Sequence, residues 1–394
     1  MFMKIAWRMI VVLLAVTLVV SCAAPPAQPT AAPVQEQPTV AAPAAPTEAP
    51  AAVQPTEAPA ATEAPAATEA PAATEAPAAT GPTVLNAVVI TCCSLESQWD
   101  ASFLKALERV KALKPHGLEI KYEVTENTWG DDAIKVARNY LDTAPRDIVW
   151  LTSTYSDQVE KMMDDYPDTI FVVHGSGNRG LGKNQYWVYM RVHEAAYLLG
   201  MMAGKLTKTN KVGAVGTFAY DDVNDEINAF FQGAKDVNPE VKGTVSFIES
   251  WFDPVKGNEA STAQAAAGVD FMLQLADGWE ACATKDIMCF GNFGDQNPLA
   301  PNNVPNSTMS LWDPSIMWVI DDWWAFKTEG KPFNGNAEPK WFTMAEGGSD
   351  IGEWYTLNGK IPQDIIDLVM AKRQEILDGT FKVPLNIETP KSDS

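Results

Sequence analysis

The sequence predicts an α/β protein with two doubly wound parallel-sheet lobes. Three observations lead to this prediction. From residue 84 onward, short apolar runs of strand length alternate with segments that have the helical period. The alternation occurs in two rounds, and about 310 residues are available for them, enough for two domains of ordinary size. Strands that alternate with helices are typical of parallel sheets covered by helices on both faces.

The first round predicts five strands and four helices. Its clearest helix is QWDASFLKALERVKAL, in which Phe103, Leu107 and Val110 recur at helical spacing. The round ends with a long apolar helix, EAAYLLGMMAGKLT. The strands are predicted at 85–91, 118–124, 147–153, 169–175 and 186–190, and the helices at 98–113, 132–141, 157–166 and 194–207.

The second round contains a helix with clear end signals. Asp253 suits the N-cap, Pro254 suits the first helical position, and Gly268 suits the stop. The strands are predicted at 211–218, 244–248, 269–275 and 286–292, and the helices at 226–237 and 254–267, with a short helix before the fourth strand. The chain then crosses through 307–313 into a helix at 314–327 and closes with 340–345 and a helix at 362–377.

These elements predict how the chain divides. We expect an N-terminal lobe at 83–200 that is completed by about 308–330. We expect a C-terminal lobe at 208–305 that is completed by about 335–385.

The N-terminus predicts export and lipid attachment. Lys4 and Arg8 precede an apolar run at 9–20, which is shorter than the roughly 20 residues that span a bilayer. A run of this length fits a signal peptide. It ends in VVSC, which resembles a bacterial lipoprotein cleavage box and predicts a signal peptide at 1–22 with lipid attached at Cys22. An ordinary secretory signal or a short anchor helix are the alternatives.

Residues 23–82 predict a low-complexity spacer. They consist almost entirely of Ala, Pro, Thr and Glu, with TEAPAA recurring from Thr47. The repeat has no large apolar side chain to bury, and its prolines remove hydrogen-bond donors and favour extended chain. A semi-rigid, partly polyproline segment of this kind would hold a folded domain away from a membrane.

The charge argues against nucleic acid as a partner. The formal net charge is -21, and most of it lies on the folded part, because the spacer contributes six Glu and the first 22 residues contribute Lys4 and Arg8. Nucleic-acid binding requires clustered Lys and Arg.

The cysteines and histidines predict no metal site and no cofactor. The sequence has no C-x-x-C pair, and its three histidines lack metal-ligand spacing. Cys282 and Cys289 could form a disulfide, and the sequence leaves this open. Cys92 and Cys93 are adjacent, so two buried thiols are favoured over a strained bridge.

No catalytic set emerges, so the protein is not predicted to be an enzyme. GNRGLGKN nearly matches a phosphate-binding loop, but Asn184 replaces the Ser or Thr, and the residues that follow predict a strand where the motif requires a helix. HGSGN lacks the first glycine of a nucleophile elbow. Nothing supplies a nucleophile, a base and an orienting group together.

Aromatic and acidic residues recur where the predicted strands end. The segments CCSLESQW, TSTYSD, GTFAYDD, SWFD, LADGW, GNFGDQ and MSLWD each place a Trp, Tyr or Phe beside a carboxylate or hydroxyl. Ligands of open α/β sheets bind at the carboxyl ends of the strands. Aromatic walls with a few hydrogen-bonding groups are typical of small-molecule pockets, so these segments predict one pocket.

Three segments carry a resemblance to a known family. YLLGMMAGKLTKTNKVGAVGTF, INAFFQGAKDVNPEV and SWFDPVKGNEAS resemble the basic membrane protein family, the lipoprotein substrate-binding components of ABC importers. The resemblance extends from about Val84 to Leu377. It implies a type I periplasmic-binding-protein-like fold with two lobes, a three-stranded hinge and, in the best known branch, purine nucleosides as ligands.

The resemblance and the strand-end segments together predict the site residues. The family's stacking aromatic matches Trp251, a second aromatic matches Tyr155 approximately, and its Asp-Gln pair matches Asp295 and Gln296. Phe293 and Leu95 depart from the family pattern, so the predicted ligand is a flat heterocycle or related small solute, with a nucleoside foremost. The predicted ligand contacts are Glu96, Trp99, Tyr155, Trp251, Asp277, Asp295 and Trp312.

The implied function is a monomeric, membrane-anchored, extracytoplasmic receptor that delivers a nucleoside or related flat heterocycle to an ABC permease. The ligand would enter between the lobes, and the lobes would close on it. A sensor that presents its ligand-bound state to a membrane signalling partner is the first alternative. A nucleoside hydrolase is the second alternative, and an empty structural lipoprotein is the third.

Overall fold

The computed structural model describes residues 81–177 and 179–393. The predicted signal peptide, Cys22 and residues 23–80 of the predicted spacer lie outside the described residues. None of the described helices is long and apolar enough to cross a membrane.

The elements alternate as predicted. The strands are β1 Val84–Ile90, β2 Glu119–Thr125, β3 Ile148–Leu151, β4 Ile170–Val173, β5 Gln185–Met190, β6 Lys211–Gly216, β7 Lys242–Phe247, β8 Phe271–Gln274, β9 Met288–Phe290, β10 Thr308–Ser310, β11 Lys340–Phe342 and β12 Ser349–Ile351. The helices are α1 Gln98–Leu113, α2 Asp131–Thr143, α3 Ser156–Glu160, α4 His193–Leu206, α5 Asp221–Val237, α6 Pro254–Ala266, α7 Trp279–Lys285, α8 Asp313–Glu329 and α9 Gln363–Leu377.

The first lobe is built on a six-stranded parallel sheet in the order β11-β5-β4-β3-β1-β2. Strands β1, β3, β4 and β5 are buried on both faces, whereas the edge strand β2 exposes one face, and alternate side chains of the buried strands enter different cores. Leu85 and Val89 of β1 pack towards α1 and α8, whereas Val88 and Ile90 pack towards α2 and α3. This alternation follows from the two-residue period of a strand, and the continuous apolar runs are typical of buried parallel sheets.

The second lobe is built on a four-stranded parallel sheet in the order β7-β6-β8-β9. Helices α4, α5 and α9 cover one face, and α6 and α7 cover the other. Cys282 of α7 and Cys289 of β9 form a disulfide, which settles the alternative that the sequence left open. Cys92 and Cys93 are free and buried, as predicted.

The structure differs from the predicted lobe boundaries in two places. Helix α4 packs in the core of the second lobe, so the first lobe's first segment ends near residue 190 and not at 200. Strand β11 pairs with β5 of the first sheet, so 340–342 does not belong to the second lobe. The segment that follows Gly182 forms strand β5, as predicted, so the near-match to a phosphate loop opens no helix.

Three chain segments connect the lobes, and they bond to one another. The Arg191 backbone N–H donates to Phe342 O at 2.8 Å, and the Leu311 N–H donates to Gly348 O at 3.0 Å. Strands β10 and β12 pair antiparallel beside these crossings. The described chain therefore has the triple connection that the resemblance implied, with β12 as a strand that the sequence did not predict.

Glycines bring α4 and α5 into close contact. A Cβ atom on Gly200 would lie 2.0 Å from Phe230 O, and one on Gly233 would lie 2.1 Å from Tyr197 O. These obstacles are backbone atoms, so neither can rotate away. The two helices must separate to accept any larger side chain.

We expect Gly200→Ala to destabilise the protein. Alanine favours the helix by about 1 kcal/mol over glycine, but overpacking against backbone costs about 1–3 kcal/mol, so the net change should be a loss. Chemical denaturation followed by circular dichroism measures it. The exposed substitution Gln232→Ala on α5 is the control, expected to stay within about 0.5 kcal/mol of wild type. A Gly200→Ala variant more stable than wild type would contradict the packing account.

Candidate functional site

A cavity lies between the two lobes. It is lined by the segments that follow β1, β3 and β4 in the first lobe and β6, β7, β8 and β9 in the second, together with Tyr189 of β5. Because each sheet is parallel, these segments all lie at the carboxyl edges.

The first lobe supplies Trp99 as an aromatic wall. Trp99 lies in the first turn of α1, and its Nε1 donates to Thr152 O at 2.7 Å. Its ring stacks on Tyr189 at 5.3 Å between centroids and meets the edge of Phe293, from the second lobe, at 5.0 Å. All three rings line the cavity. The hydrogen bond and the two neighbouring rings hold the indole in place.

The second lobe supplies Trp251. It lies in the loop between β7 and α6, against Phe218 at 4.8 Å and Tyr220 at 5.6 Å between ring centroids. The loop is held two residues later, where the Asp253 carboxylate accepts a hydrogen bond from the Lys256 backbone N–H at 3.1 Å. This N-cap, with Pro254 in the first turn, confirms the predicted start of α6. Trp251 also lines an adjoining pocket.

Three polar atoms on the lining are buried without hydrogen-bond partners among the described residues. They are Gln98 Oε1 from the first lobe and Asp222 Oδ1 and Asn292 Nδ2 from the second. Asn292 is also a neighbour of the Glu226 carboxyl, whose pKa it lowers, but its Nδ2 does not reach hydrogen-bond geometry with that carboxyl. The other amide atom of Asn292 is satisfied, since its Oδ1 accepts from Thr308 Oγ1 at 2.5 Å. A buried polar atom without a partner costs about 1–3 kcal/mol, so such atoms on a cavity wall indicate a place for a bound molecule.

Asp222 is the most strongly perturbed carboxyl on this lining. Burial raises its pKa from an ordinary 3.8 to about 6, and the nearby charge of Asp221 adds to the rise. The hydroxyls of Ser176 and Tyr189, which belong to the first lobe, lower the pKa of Asp222 and so oppose that rise. Asp222 therefore faces the first lobe across the cleft.

Two further carboxyls of α5 lie behind Asp222. Burial raises the pKa of Asp225 and of Glu226 well above their ordinary values. Arg191 at the first crossing approaches Asp225 Oδ2 to 3.7 Å and lies over the Trp341 ring at 3.7 Å. The Arg191 guanidinium thus faces the acidic N-terminal part of α5 at the point where the lobes join.

The charge on the lining is of one sign. Among the described residues, the lining holds Asp222 and Asp277 and contains no lysine, arginine or histidine. Burial also raises the pKa of Asp277, and Trp279 Nε1 donates to its Oδ1 at 3.2 Å. An anionic molecule would find hydrogen-bond donors here but no opposite charge.

Of the seven predicted contacts, Trp99, Trp251 and Asp277 lie on the lining, and four do not. Glu96 is exposed. Tyr155 is buried in the first lobe's core, where its hydroxyl donates to Thr128 O. Asp295 is exposed and accepts from Tyr355 Oη at 2.7 Å. Trp312 is fully buried behind Trp99, and its Nε1 donates to Ser102 Oγ at 3.0 Å.

The sequence identified the right segments but missed several residues in them. Gln98, Asp222 and Asn292 lie in CCSLESQW, GTFAYDD and GNFGDQ, three of the predicted strand-end segments. Their neighbours Glu96 and Asp295 were chosen because of their position in the family pattern. A side chain's direction at a strand end depends on the local turn, and Phe293, with φ 65°, shows how irregular that turn is.

Comparison with known families decides the assignment. The family model of PnrA-like ABC transporter substrate-binding proteins, named Bmp, matches residues 86–321. The chain belongs to this family. The resemblance found in the sequence is therefore confirmed, and the family consists of substrate-binding proteins, not enzymes.

Curated relatives of this Bmp chain differ in the ligand that their names give. It is 28% identical over 272 residues, 67% of its length, to the putative ABC transporter glucose-binding protein TsgA13 of Haloferax volcanii. It is 28% identical over 202 residues, 50% of its length, to a purine-binding protein of Brucella abortus. It is 26% identical over 214 residues, 49% of its length, to the nucleoside-binding protein BmpA of Lactococcus lactis. The chain spans 65%, 57% and 58% of these relatives' lengths.

Solved structures confirm the type I periplasmic-binding-protein-like fold of this Bmp chain. A solute-binding protein of an ABC transporter system from Conexibacter woesei superposes with a TM-score of 0.61 at 16% identity, covering 76% of this chain and 99% of that one. One from Aeropyrum pernix gives a TM-score of 0.60 at 16% identity, covering 77% and 94%. At these identities the likeness concerns the fold alone.

The raised pKa of Asp222 predicts a pH dependence of stability. Between pH 3.8 and about 6 the folded state binds this proton more tightly than the unfolded state, so the free energy of unfolding falls as pH rises through this window. Asp222→Asn removes that fall. We expect the variant to gain about 1–3 kcal/mol on wild type between pH 4 and pH 7, at 1.36 kcal/mol for each unit of pKa shift.

Urea unfolding at several pH values measures this difference. Asp168→Asn, at an exposed carboxyl outside the lining, is the matched control and should track wild type. A difference between Asp222→Asn and wild type that stays constant from pH 4 to pH 7 would show that Asp222 titrates normally.

Proposed function

We propose that this protein is the extracytoplasmic receptor of an ABC importer and that it binds a neutral, flat, hydroxyl-bearing ligand, a purine nucleoside foremost. The observation that carries the proposal is the set of orphaned polar atoms on the cavity wall. Gln98 Oε1 comes from one lobe, and Asp222 Oδ1 and Asn292 Nδ2 come from the other. A ligand that bonds to both sets stabilises the arrangement in which the lobes face each other.

The aromatic walls support a flat ring. Trp99 lies in the first lobe and Trp251 in the second, so a ring between the lobes has an indole available from either side. Stacking on an aromatic side chain contributes about 1–3 kcal/mol per base. The names of the Brucella and Lactococcus relatives give purines and nucleosides as ligands.

The polar groups support hydroxyls on the ligand and disfavour phosphates. Asp222 and Asp277 accept hydrogen bonds when ionised, and ribose hydroxyls can donate them. A phosphate in the same space would face these carboxylates without a compensating cation on the lining. A like-charge juxtaposition of this kind costs several kcal/mol.

The remaining features of the receptor are also proposals. The signal peptide at 1–22, lipid attachment at Cys22 and the spacer at 23–82 would anchor the receptor to the outer face of the cell membrane. The ligand-bound form would then dock on an ABC permease as a monomer. Mass spectrometry of the mature protein tests the anchor, because a diacylglyceryl group on a new N-terminal Cys22 is expected.

A sensor remains the second candidate. The chain is 26% identical over 174 residues to the transcriptional activator protein med of Bacillus subtilis, covering 53% of that protein. A sensor would bind the same ligand but require no permease. Loss of ligand uptake in a strain that lacks the protein favours the importer, and unchanged uptake with altered transcription favours the sensor.

We expect nucleosides to bind and their 5′-monophosphates to bind at least about 100-fold more weakly, because of the like charge on the cavity wall. Isothermal titration with adenosine, guanosine, inosine, uridine and glucose, each nucleoside paired with its monophosphate, measures this. Tighter binding of the monophosphates would show that the lining has been misread. Tight binding of glucose alone would move the ligand class to sugars.

Replacing Trp251 by Ala should weaken binding of the best ligand by about 1–3 kcal/mol, the contribution of one stacked base. Trp324→Ala is the matched control, since Trp324 stacks on His116 outside the cavity lining. The control variant should bind as wild type does. Equal affinities for the Trp251→Ala variant and wild type would exclude Trp251 from the site.

A further inference from the structure

The cavity wall contains a cluster that the proposed function does not use. Cys92, Cys93 and Asp100 lie together in the first lobe, and their ligand-capable atoms are all within 4.8 Å of one another. Cys92 Sγ lies 3.2 Å from Cys93 Sγ and 3.8 Å from Asp100 Oδ2. Both cysteines line the cavity and the adjoining pocket, whereas Asp100 is fully buried behind them.

The two thiols are poorly placed to form a disulfide. Adjacent residues joined by a trans peptide have Cα atoms about 3.8 Å apart. Disulfides usually join Cα atoms roughly 4.4–6.8 Å apart, so a bridge between neighbours requires backbone distortion. The other two described cysteines, Cys282 and Cys289, are already paired with each other. The adjacent pair therefore keeps two sulfur ligands available.

Asp100 is a buried carboxyl without a cationic side chain as a partner. It forms no ion pair with any of the described residues, and Thr152 Oγ1 donates to its Oδ1. Its Oδ2 is the atom nearest Cys92 Sγ. A carboxyl fully removed from water is normally protonated, paired with a cation or bound to a metal, and a metal is the partner that Asp100 could share with the two neighbouring thiols.

We propose that Cys92, Cys93 and Asp100 form a binding site for a soft divalent metal ion, zinc foremost, at the floor of the ligand cavity. Tetrahedral zinc with bonds of about 2.3 Å to sulfur and about 2.0 Å to oxygen separates two sulfurs by about 3.8 Å and a sulfur from an oxygen by about 3.5 Å. The observed 3.2 Å between the sulfurs and 3.8 Å between Cys92 Sγ and Asp100 Oδ2 require shifts of about half an ångström, and the separation of Cys93 Sγ from the Asp100 carboxylate is within 4.8 Å. Two thiolates select zinc over magnesium or calcium.

The metal would have three protein ligands. Since Cys92 and Cys93 border the cavity, the fourth position is open to a water molecule or to a nitrogen or oxygen of a bound ligand. Each thiol loses its proton to solvent when the metal binds, so no oxidant or reductant takes part. This separates metal binding from disulfide formation, which would need an oxidant.

Cobalt titration tests the site directly. We use the Cys22→Ser protein, so that Cys92 and Cys93 are the only free thiols, and add Co²⁺ while recording the near-ultraviolet thiolate-to-cobalt charge-transfer band. We expect the band to appear and to disappear on addition of Zn²⁺, which binds such ligands more tightly than Co²⁺. Cys93→Ser should lower the band intensity by about half, because one of two thiolates is lost.

Two carboxyl variants complete the test. Asp100→Asn should weaken Co²⁺ binding by at least about 10- to 100-fold, since loss of a group that only hydrogen-bonds to a metal ligand already has an effect of this size. Asp295→Asn, at an exposed carboxyl outside the lining, should leave Co²⁺ binding unchanged. Circular dichroism confirms that each variant is folded, and Cys93→Ser decides the outcome should Asp100→Asn fail to fold.

Two results would overturn the proposal. One is the absence of the band in folded protein whose two thiols are shown to be free by titration after unfolding. The other is mass-spectrometric detection of a Cys92–Cys93 bridge in the protein as purified. Neither result bears on nucleoside binding, which is measured separately without added metal.

Discussion

The parallel pairing of both sheets is the constraint on which the site depends. In a parallel sheet every strand ends at the same edge, so the loops that follow the strands gather there. The six-stranded and four-stranded sheets are both parallel, and the cavity is lined by loops that follow strands of each. Residues as distant in sequence as Gln98 and Asn292 meet for this reason. A slipped or antiparallel strand would move its loop away from the cleft.

The three chain segments that connect the lobes are also bonded to one another. Arg191, Leu311 and Met344 each mark a different crossing, and backbone hydrogen bonds tie the first crossing to the third and the second to the third. Segments joined in this way can bend together while each lobe keeps its own core. A ligand that bonds to the buried polar atoms of both lobes would bind more tightly when the lobes face each other than when they are apart. Such a difference in affinity is what a ligand needs in order to shift the population towards the closed arrangement.

Much of the fold could be predicted from sequence, because buried parallel strands are continuous apolar runs and the helices carry clear periodicity and end signals. Asp253 and Pro254 marked the start of α6 correctly. Strand β12 was missed because it has only three residues, Ser349–Ile351, and two of them are polar. A run this short does not predict a strand. The prediction placed α4 in the first lobe, whereas α4 packs in the core of the second. The residues from Ala195 to Gly204 include no charged side chain, so the sequence of α4 does not show which sheet it covers.

The site could be predicted to the level of segments and not of side chains. Trp99, Trp251 and Asp277 lie on the cavity wall, but Tyr155 and Trp312 pack into the first lobe, where the bond from Tyr155 to Thr128 and the bond from Trp312 to Ser102 satisfy their polar atoms. Which aromatic faces the cleft depends on long-range packing of this kind. Gln98, Asp222 and Asn292 were hidden because a single polar residue at the start of a helix or in a loop gives no sign of its burial.

A crystal structure of the protein with a bound purine nucleoside tests the central claim most directly. The account predicts that the base lies between the lobes against Trp99 and Trp251, with hydrogen bonds to Gln98 Oε1, Asp222 Oδ1 and Asn292 Nδ2. A nucleoside held by one lobe only, or bound outside the cavity while these three atoms stay without partners, would contradict it.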